Sequence, residues 1–247
     1  MRTRPLVTLC AALALVPAVA AGCGSDGGGG EPPRPAEQID IGDPITATNE
    51  DAAGVVGPGA TEAPEAGVVE GGPDESQLED IAPPDEEALA QGSNRCSAPD
   101  AQPSASTLRE TASSIRCLLN AERRSRGLRP LRSNSRLARA ARLHSRDMVS
   151  KRYFSHDARD GRSMLDRIRA AGYLRARAAF TVGENIGWGS GSLASPRALV
   201  RAWMDSPPHR ANILHRRYRE IGIGLVLGAP SPGVSGAAVT ATTNFGG

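Results

Sequence analysis

Aromatic side chains are scarce in this chain. Two Trp, three Tyr and three Phe make up 3% of its 247 residues. A single-stranded nucleic-acid platform stacks bases on aromatics set among basic residues, so no nucleic-acid partner is expected. Several catalytic signatures are also missing. There is no His-Glu-x-x-His and no tight Cys/His cluster. Residues 187–191 read GWGSG, which is not the G-x-S-x-G elbow of serine hydrolases. Gly222-Ile223-Gly224 leads on to Leu227, which is not a dinucleotide fingerprint. Lys151 is the only lysine, and every other basic residue is arginine. The apolar run at residues 6–21 is too short to span a bilayer.

What stands at the N-terminus is a signal-peptide pattern, assigned to residues 1–22. Arg2 and Arg4 precede the apolar run, and small residues follow it. Ala20-Ala21-Gly22-Cys23 has the form of a lipobox, which predicts lipidation of Cys23; the alternative is ordinary secretion with cleavage near Ala21. The mature lipoprotein would be held at the membrane by several acyl chains. Of the four cysteines, Cys10 leaves with the signal peptide and Cys23 takes the lipid. Cys96 and Cys117 remain as an even pair in an oxidising compartment, to be read as a disulfide or as two free thiols. A bridge would contribute about 3 kcal/mol by closing a loop of roughly 20 residues.

Residues 23–95 read as a disordered, acidic, Pro/Gly-rich linker. They lack a sustained apolar period and cannot bury enough surface to offset the entropy of ordering. Short helical turns around residues 75–90 are compatible with that reading. Residues 96–247 carry 25 basic and 10 acidic residues, a balance of about +15, whereas the linker is of opposite sign. A solvated surface accounts for the arginines; attraction to an anionic cell-wall polymer or lipid headgroup is the functional alternative.

The folded part begins with a helix at 106–127, its apolar positions Leu108, Ala112, Ile115 and Leu119 at helical spacing. Asn134 or Ser135 caps a second helix, whose inner stripe carries Leu137, Ala141, His144 and Met148. His144 there is a packed core histidine rather than a ligand. A third helix is expected at 160–172. Residues 180–182 form a short strand leading into a Gly-rich turn that carries Glu184, with Trp188 in the same loop a candidate for exposed contact. A fourth helix starts at Ser195-Pro196 and packs Trp203 inward, and Pro207-Pro208 ends it ahead of His209 in a Pro-rich turn. Strands at 221–227 and 234–245 follow. Helices first and strands later indicate an α+β fold. Glu184 and His209 sit on two turns separated by a helix, which lets them meet across a cleft. His156, after Tyr153-Phe154-Ser155, supplies a second histidine.

The ordered set Leu118-Leu119-Asn120-Ala121-Glu122-Arg123, Phe154-Ser155-His156, Gly183-Glu184-Asn185-Ile186, Trp203-Met204, His209-Arg210-Ala211-Asn212-Ile213-Leu214, Ile221-Gly222-Ile223-Gly224 and Asn244-Phe245-Gly246 resembles the bacterial branch of the CAP superfamily. That family comprises cysteine-rich secretory proteins, antigen 5 and pathogenesis-related 1, and its domain is also called SCP. The resemblance implies a three-layer α-β-α sandwich with a central antiparallel sheet and an open cleft. It implies two His and two Glu in that cleft, with zinc or another divalent cation in some members. His156, Glu184 and His209 match three of the four positions and form a tentative metal set. At the fourth, this chain has Asp205-Ser206 where a Glu is usual. Two neutral imidazoles and a carboxylate suit zinc with an open coordination position, which would support hydrolysis; a hydrogen-bonded polar cleft is the non-metal alternative. Three functions follow: an envelope binding module for a lipid or partner, a zinc-dependent hydrolase of wall peptide, glycan or ester bonds, and a structural or adhesive protein. Binding is favoured over catalysis.

Overall fold

The computed structural model describes residues 37–48, 68–69, 81–174, 179–234 and 237–247. The signal peptide, the lipobox and Cys23 lie outside the described residues. Three short strands come first: β1 (Ile39–Asp40), β2 (Ile45–Thr48) and β3 (Val68–Val69). Helix α1 (Glu86–Asn94) follows, with the Asp85 carboxylate accepting from the Ala88 N–H as its N-cap. These elements lie within the span 23–95 read as linker, and α1 overlaps the short helical turns allowed around residues 75–90. In residues 37–48, β1 and β2 both pair antiparallel with a long strand of the domain, and Ile39, Ile41, Ile45 and Ala47 pack against its two cores.

Helix α2 (Leu108–Arg124) turns Ile115, Leu118 and Leu119 into the core. The Cys96–Cys117 disulfide, with Cα atoms 5.6 Å apart, ties the segment after α1 to this helix. Strand β4 (Arg132–Ser133) leads to α3 (Ser135–Lys151). Asn134 caps α3 by accepting from the Arg136 and Leu137 N–H groups. Helix α4 (Met164–Ala170) is shorter than the expected 160–172. A reciprocal capping box between Ser163 and Asp166 sets its start, and Gly161, at φ 82°, belongs to the turn before it.

The largest difference from expectation is β5 (Thr181–Ser190), a fully buried ten-residue strand where a Gly-rich turn was expected. Its glycines are required by close packing rather than by turning. A Cβ at Gly183 would collide with the Tyr218 hydroxyl and Asn212, and one at Gly187 would press on the Trp203 indole. Trp188, expected to be exposed, is buried inside this strand, opposite Asp40 on one side and Thr240 on the other. Helix α5 (Pro196–Asp205) is capped by Ser195. Pro207-Pro208 ends α5 and also begins α6 (Pro207–Leu214), so His209 is helical rather than on a turn. Proline is tolerated in a first turn because those N–H groups have no intrahelical acceptor. Strands β6 (Glu220–Leu227) and β7 (Ala238–Gly246) complete the chain.

The strand order is β3-β2-β5-β7-β6-β4, with β1 also on β5. All pairings are antiparallel except β4 with β6. Helices α3 and α4 cover one face of the sheet, and α2, α5 and α6 cover the other. This is the expected α-β-α sandwich. Gly222 and Gly224 let α3 lie directly on β6, since a Cβ at either would overlap the α3 backbone. The second face holds the larger hydrophobic core, with Ile115, Leu119, Trp203, Tyr218 and Phe245.

Candidate functional site

Strand alternation decides where the site lies. Glu184 projects toward the α3–α4 face, while its neighbours Gly183 and Asn185 face α6. The Glu184 carboxylate is fully buried, and four side chains surround it. Arg167, from α4, donates from Nη2 to Oε1 at 2.8 Å and to Oε2 at 3.0 Å. His156 Nδ1–H donates to Oε1 at 2.8 Å. The Asn244 amide donates to Oε2 at 2.8 Å and accepts from the Ala141 N–H at 3.2 Å. His144 Nε2 lies 4.0 Å from Oε1. Burial by itself would raise the carboxyl pKa, but Arg167, His144 and His156 outweigh it and hold it down at about 2.

His144 behaves as the packed core histidine expected from its stripe. Its Nε2–H donates to the Ser155 carbonyl at 2.9 Å, and burial pushes its pKa down to about 4. The same bond fixes the turn that presents His156. His209 sits on α6, with Nδ1 accepting from the Ser206 hydroxyl at 2.8 Å. Ser206 stands where the resemblance led one to look for a second Glu, and it orients the ring. Burial lowers the pKa of His209 to about 4 as well.

The two cleft histidines meet an occupant that the sequence did not announce. His209 Nε2–H donates to the Ile41 carbonyl at 3.0 Å, and His156 Nε2–H donates to the Asp43 carbonyl. The segment between β1 and β2 thus lies across both rings. Both nitrogens of His156 face acceptor oxygens.

This geometry does not suit a metal ion. Among the described residues, no group of three or more His, Cys, Asp or Glu side chains is placed to hold one. Donors occupy both Glu184 oxygens, and both Nε2 atoms point at carbonyls. The structure therefore joins His156 directly to Glu184 and joins His209 to them only through residues 41–43, which departs from the expected three-residue metal set.

Sequence reasoning missed Arg167 and Asn244 in this cluster. Nothing distinguishes Arg167 from the other arginines except its place on α4, three residues after Met164. A second feature lies behind Arg167: a cavity of about 320 Å³ between α3 and α4, lined by Arg139, Arg146, Arg162, Arg167 and His144 among others.

Residues 118–239 match the model of the cysteine-rich secretory protein family, CAP. The chain carries a domain of the CAP family. Two curated relatives come from Bacillus subtilis (strain 168). The uncharacterized protein YkwD is 39% identical over 109 residues, covering 44% of this chain and 40% of the relative. The uncharacterized membrane protein YlbC is 32% identical over 108 residues, covering 44% and 29%. The CAP-domain chain thus spans less than half the length of either relative. Among solved structures, an extracellular SCP-domain protein from Bacillus anthracis str. Ames aligns at TM-score 0.44 and 24% identity, covering 59% of this chain and 44% of that one. An outer surface protein from Borrelia burgdorferi aligns at TM-score 0.45 and 18% identity, covering 56% and 92%.

Proposed function

We propose that this protein is an extracytoplasmic, membrane-tethered binding module of the cell envelope whose His156/Glu184/His209 cleft holds a ligand without catalysing its breakdown. The carrying observation is the state of Glu184. A carboxylate that accepts from Arg167, His156 and Asn244 has no free lone pair aimed into the cleft. It is poorly placed to bind a metal or to take a proton from water, since its pKa is held far below neutrality. It serves instead as the fixed anion that orients His156. The signal-peptide pattern and the Cys96–Cys117 bridge support export, because such a bond persists in an oxidising compartment. Cys23 supplies the tether, and the arginine-lined cavity behind Arg167 favours an anionic envelope component as a further contact.

The competing reading is a zinc hydrolase using His156, Glu184 and His209. Calorimetric zinc titration of the whole chain, beside a folded His156→Ala/His209→Ala variant, separates the two. The binding-module reading expects no saturable zinc uptake that depends on the histidines. Stoichiometric uptake lost in the variant would overturn it. Metabolic labelling with radioactive palmitate tests the tether: label is expected on the wild type and absent from Cys23→Ala, and an unlabelled wild type rejects the lipoprotein.

A further inference from the structure

Strand β5 has two edges. One is paired with β7 along the whole strand. Among the described residues, the other is paired by residues 37–48: β1 at residues 188–189 and β2 at 181–184. Between them, residues 41–44 span residues 185–187, four against three, which is a one-residue bulge. Gly42 makes the bulge feasible. It has φ 53°, and a Cβ there would lie 3.2 Å from Ile186 and 3.3 Å from Phe154. The arch that results presents the Ile41 and Asp43 carbonyls to His209 and His156.

These contacts are made to backbone and are therefore largely independent of sequence. An extended peptide added to an open sheet edge is recognised in this way: main-chain hydrogen bonds give affinity, and small pockets select side chains. The segment is held by backbone pairing and by side chains: Ile39, Ile41 and Ile45 pack partly buried against the two cores, the Glu37 carboxylate accepts from the Ser192 N–H at 2.9 Å, and β2 also pairs with β3. Of residues 37–48, only Pro44 and Ala47 are buried. Ala47 packs with Leu137, Met164, Ile168 and Val182.

We propose that the β5 edge and the His156/His209 pair form a groove for an extended polypeptide, and that residues 37–48 are its built-in occupant, displaceable by a competing strand. The preferred ligand has glycine at the position of Gly42, a small residue at that of Ala47, and carbonyls free to meet the two imidazoles. The inference rests on the binding-module reading and specifies its ligand class. A tethered occupant acts at an effective concentration in the millimolar range. The closed groove is therefore the resting state, and a partner must outcompete it.

The test uses the full-length chain carrying Cys23→Ser and a fluorophore-labelled peptide of residues 37–48 as the probe. Ala47→Asp places a charge in an apolar pocket and unseats the segment; Gly42→Val unseats it independently by backbone strain and overlap with Ile186. Circular dichroism and retained amide protection in α3 establish that each variant is folded. Both unseated variants should bind the peptide saturably, and the wild type on the order of a hundredfold more weakly, because its groove is filled. Adding His156→Ala or His209→Ala to an unseated variant should weaken the peptide by about tenfold, the worth of one hydrogen bond. Absence of saturable binding to both folded variants overturns the proposal, as does equal binding by wild type and variants. Zinc is titrated into the same variants, whose histidines are then uncovered. No zinc and no peptide binding would sink the groove alone and leave a binding module for another ligand. Stoichiometric zinc binding that needs the histidines would sink the binding-module reading itself.

Discussion

The two faces of the sheet are held by different physics. On the α2/α5/α6 side, Ile115, Leu119, Trp203 and Phe245 form a core whose buried polar side chains bond largely to backbone: the Trp203 indole N–H donates to the Ile186 carbonyl at 2.8 Å, and Arg123 donates to the Ile213 carbonyl at 2.7 Å. On the α3/α4 side, the same strands turn Glu184, Thr242 and Asn244 toward Ser145, His144 and Arg167. The first face is centred on apolar side chains, and the second combines a smaller apolar cluster with a hydrogen-bonded network closed around an ion pair. An apolar core degrades by volume lost, whereas a polar network fails as a unit when a partner is removed.

The largest expected effects test that contrast. Arg167→Met leaves the buried Glu184 carboxylate without its main counter-charge and should cost about 3–5 kcal/mol in urea unfolding. Adding Glu184→Gln should recover much of the loss, because the double variant has no uncompensated charge. On the other face, Trp203→Ala should cost a comparable ~3–5 kcal/mol by opening a cavity. Pairing it with Leu119→Ala should deepen the loss rather than relieve it. Rescue on the apolar face, or none on the polar face, would erase the distinction.

A second consequence is a stability that depends on pH. Burial lowers His144, His209 and His215 each to about 4, with Arg123 also acting on His215. Above the unfolded histidine value near 6.5, all three are neutral in both states and stability is flat. Between pH 6.5 and 4 the unfolded chain binds protons that the folded chain does not, so stability falls as pH falls. Below about 4.5, Glu184 continues the trend, because unfolding protonates it while the folded group resists to about 2. Urea midpoints at pH 7, 6, 5 and 4 should decline progressively, and His144→Gln should make the decline shallower. A midpoint that does not move would contradict the burial of these rings.

The sequence made much of this legible where local chemistry sets the structure. The helical stripe of α3 came out as read, and the structure takes Asn134 of the two cap candidates and the disulfide of the two cysteine readings. Asn120 and Arg123, inside the first family motif, turn out to be brackets. Asn120 clasps the Leu131 backbone through both amide atoms, and buried Arg123 donates to the carbonyls of Arg129, Ile213, His215 and Tyr218. What was not legible depends on contacts distant in sequence. The glycines of β5 suggested a turn, because nothing nearby shows that Asn212, Tyr218 and Trp203 press on that strand. Residues 37–48 read as linker, because the strand edge they pair with and the cores that take Ile39, Ile41, Ile45 and Ala47 lie far away in sequence. Arg167 could not be told from surface arginines without knowing that Glu184 faces it.

The smallest effect bears on the cleft itself, where the polar face meets the strand of residues 37–48. Ser206 donates to His209 Nδ1, which fixes the proton on Nε2 and aims it at the Ile41 carbonyl. Ser206→Ala removes that donor and leaves a part-buried nitrogen unpaired, at a cost of about 1 kcal/mol to global stability. A merely structural serine would produce that loss and nothing more. A serine that orients the histidine should also loosen the seated segment, so amide exchange at Ser190, whose N–H donates to the Gln38 carbonyl at 2.8 Å, should quicken more than exchange in α2. Ser206→Thr keeps the hydroxyl and should restore protection at Ser190. Equal quickening at both places would show that Ser206 supports the fold at large rather than the grip of His209 on its occupant.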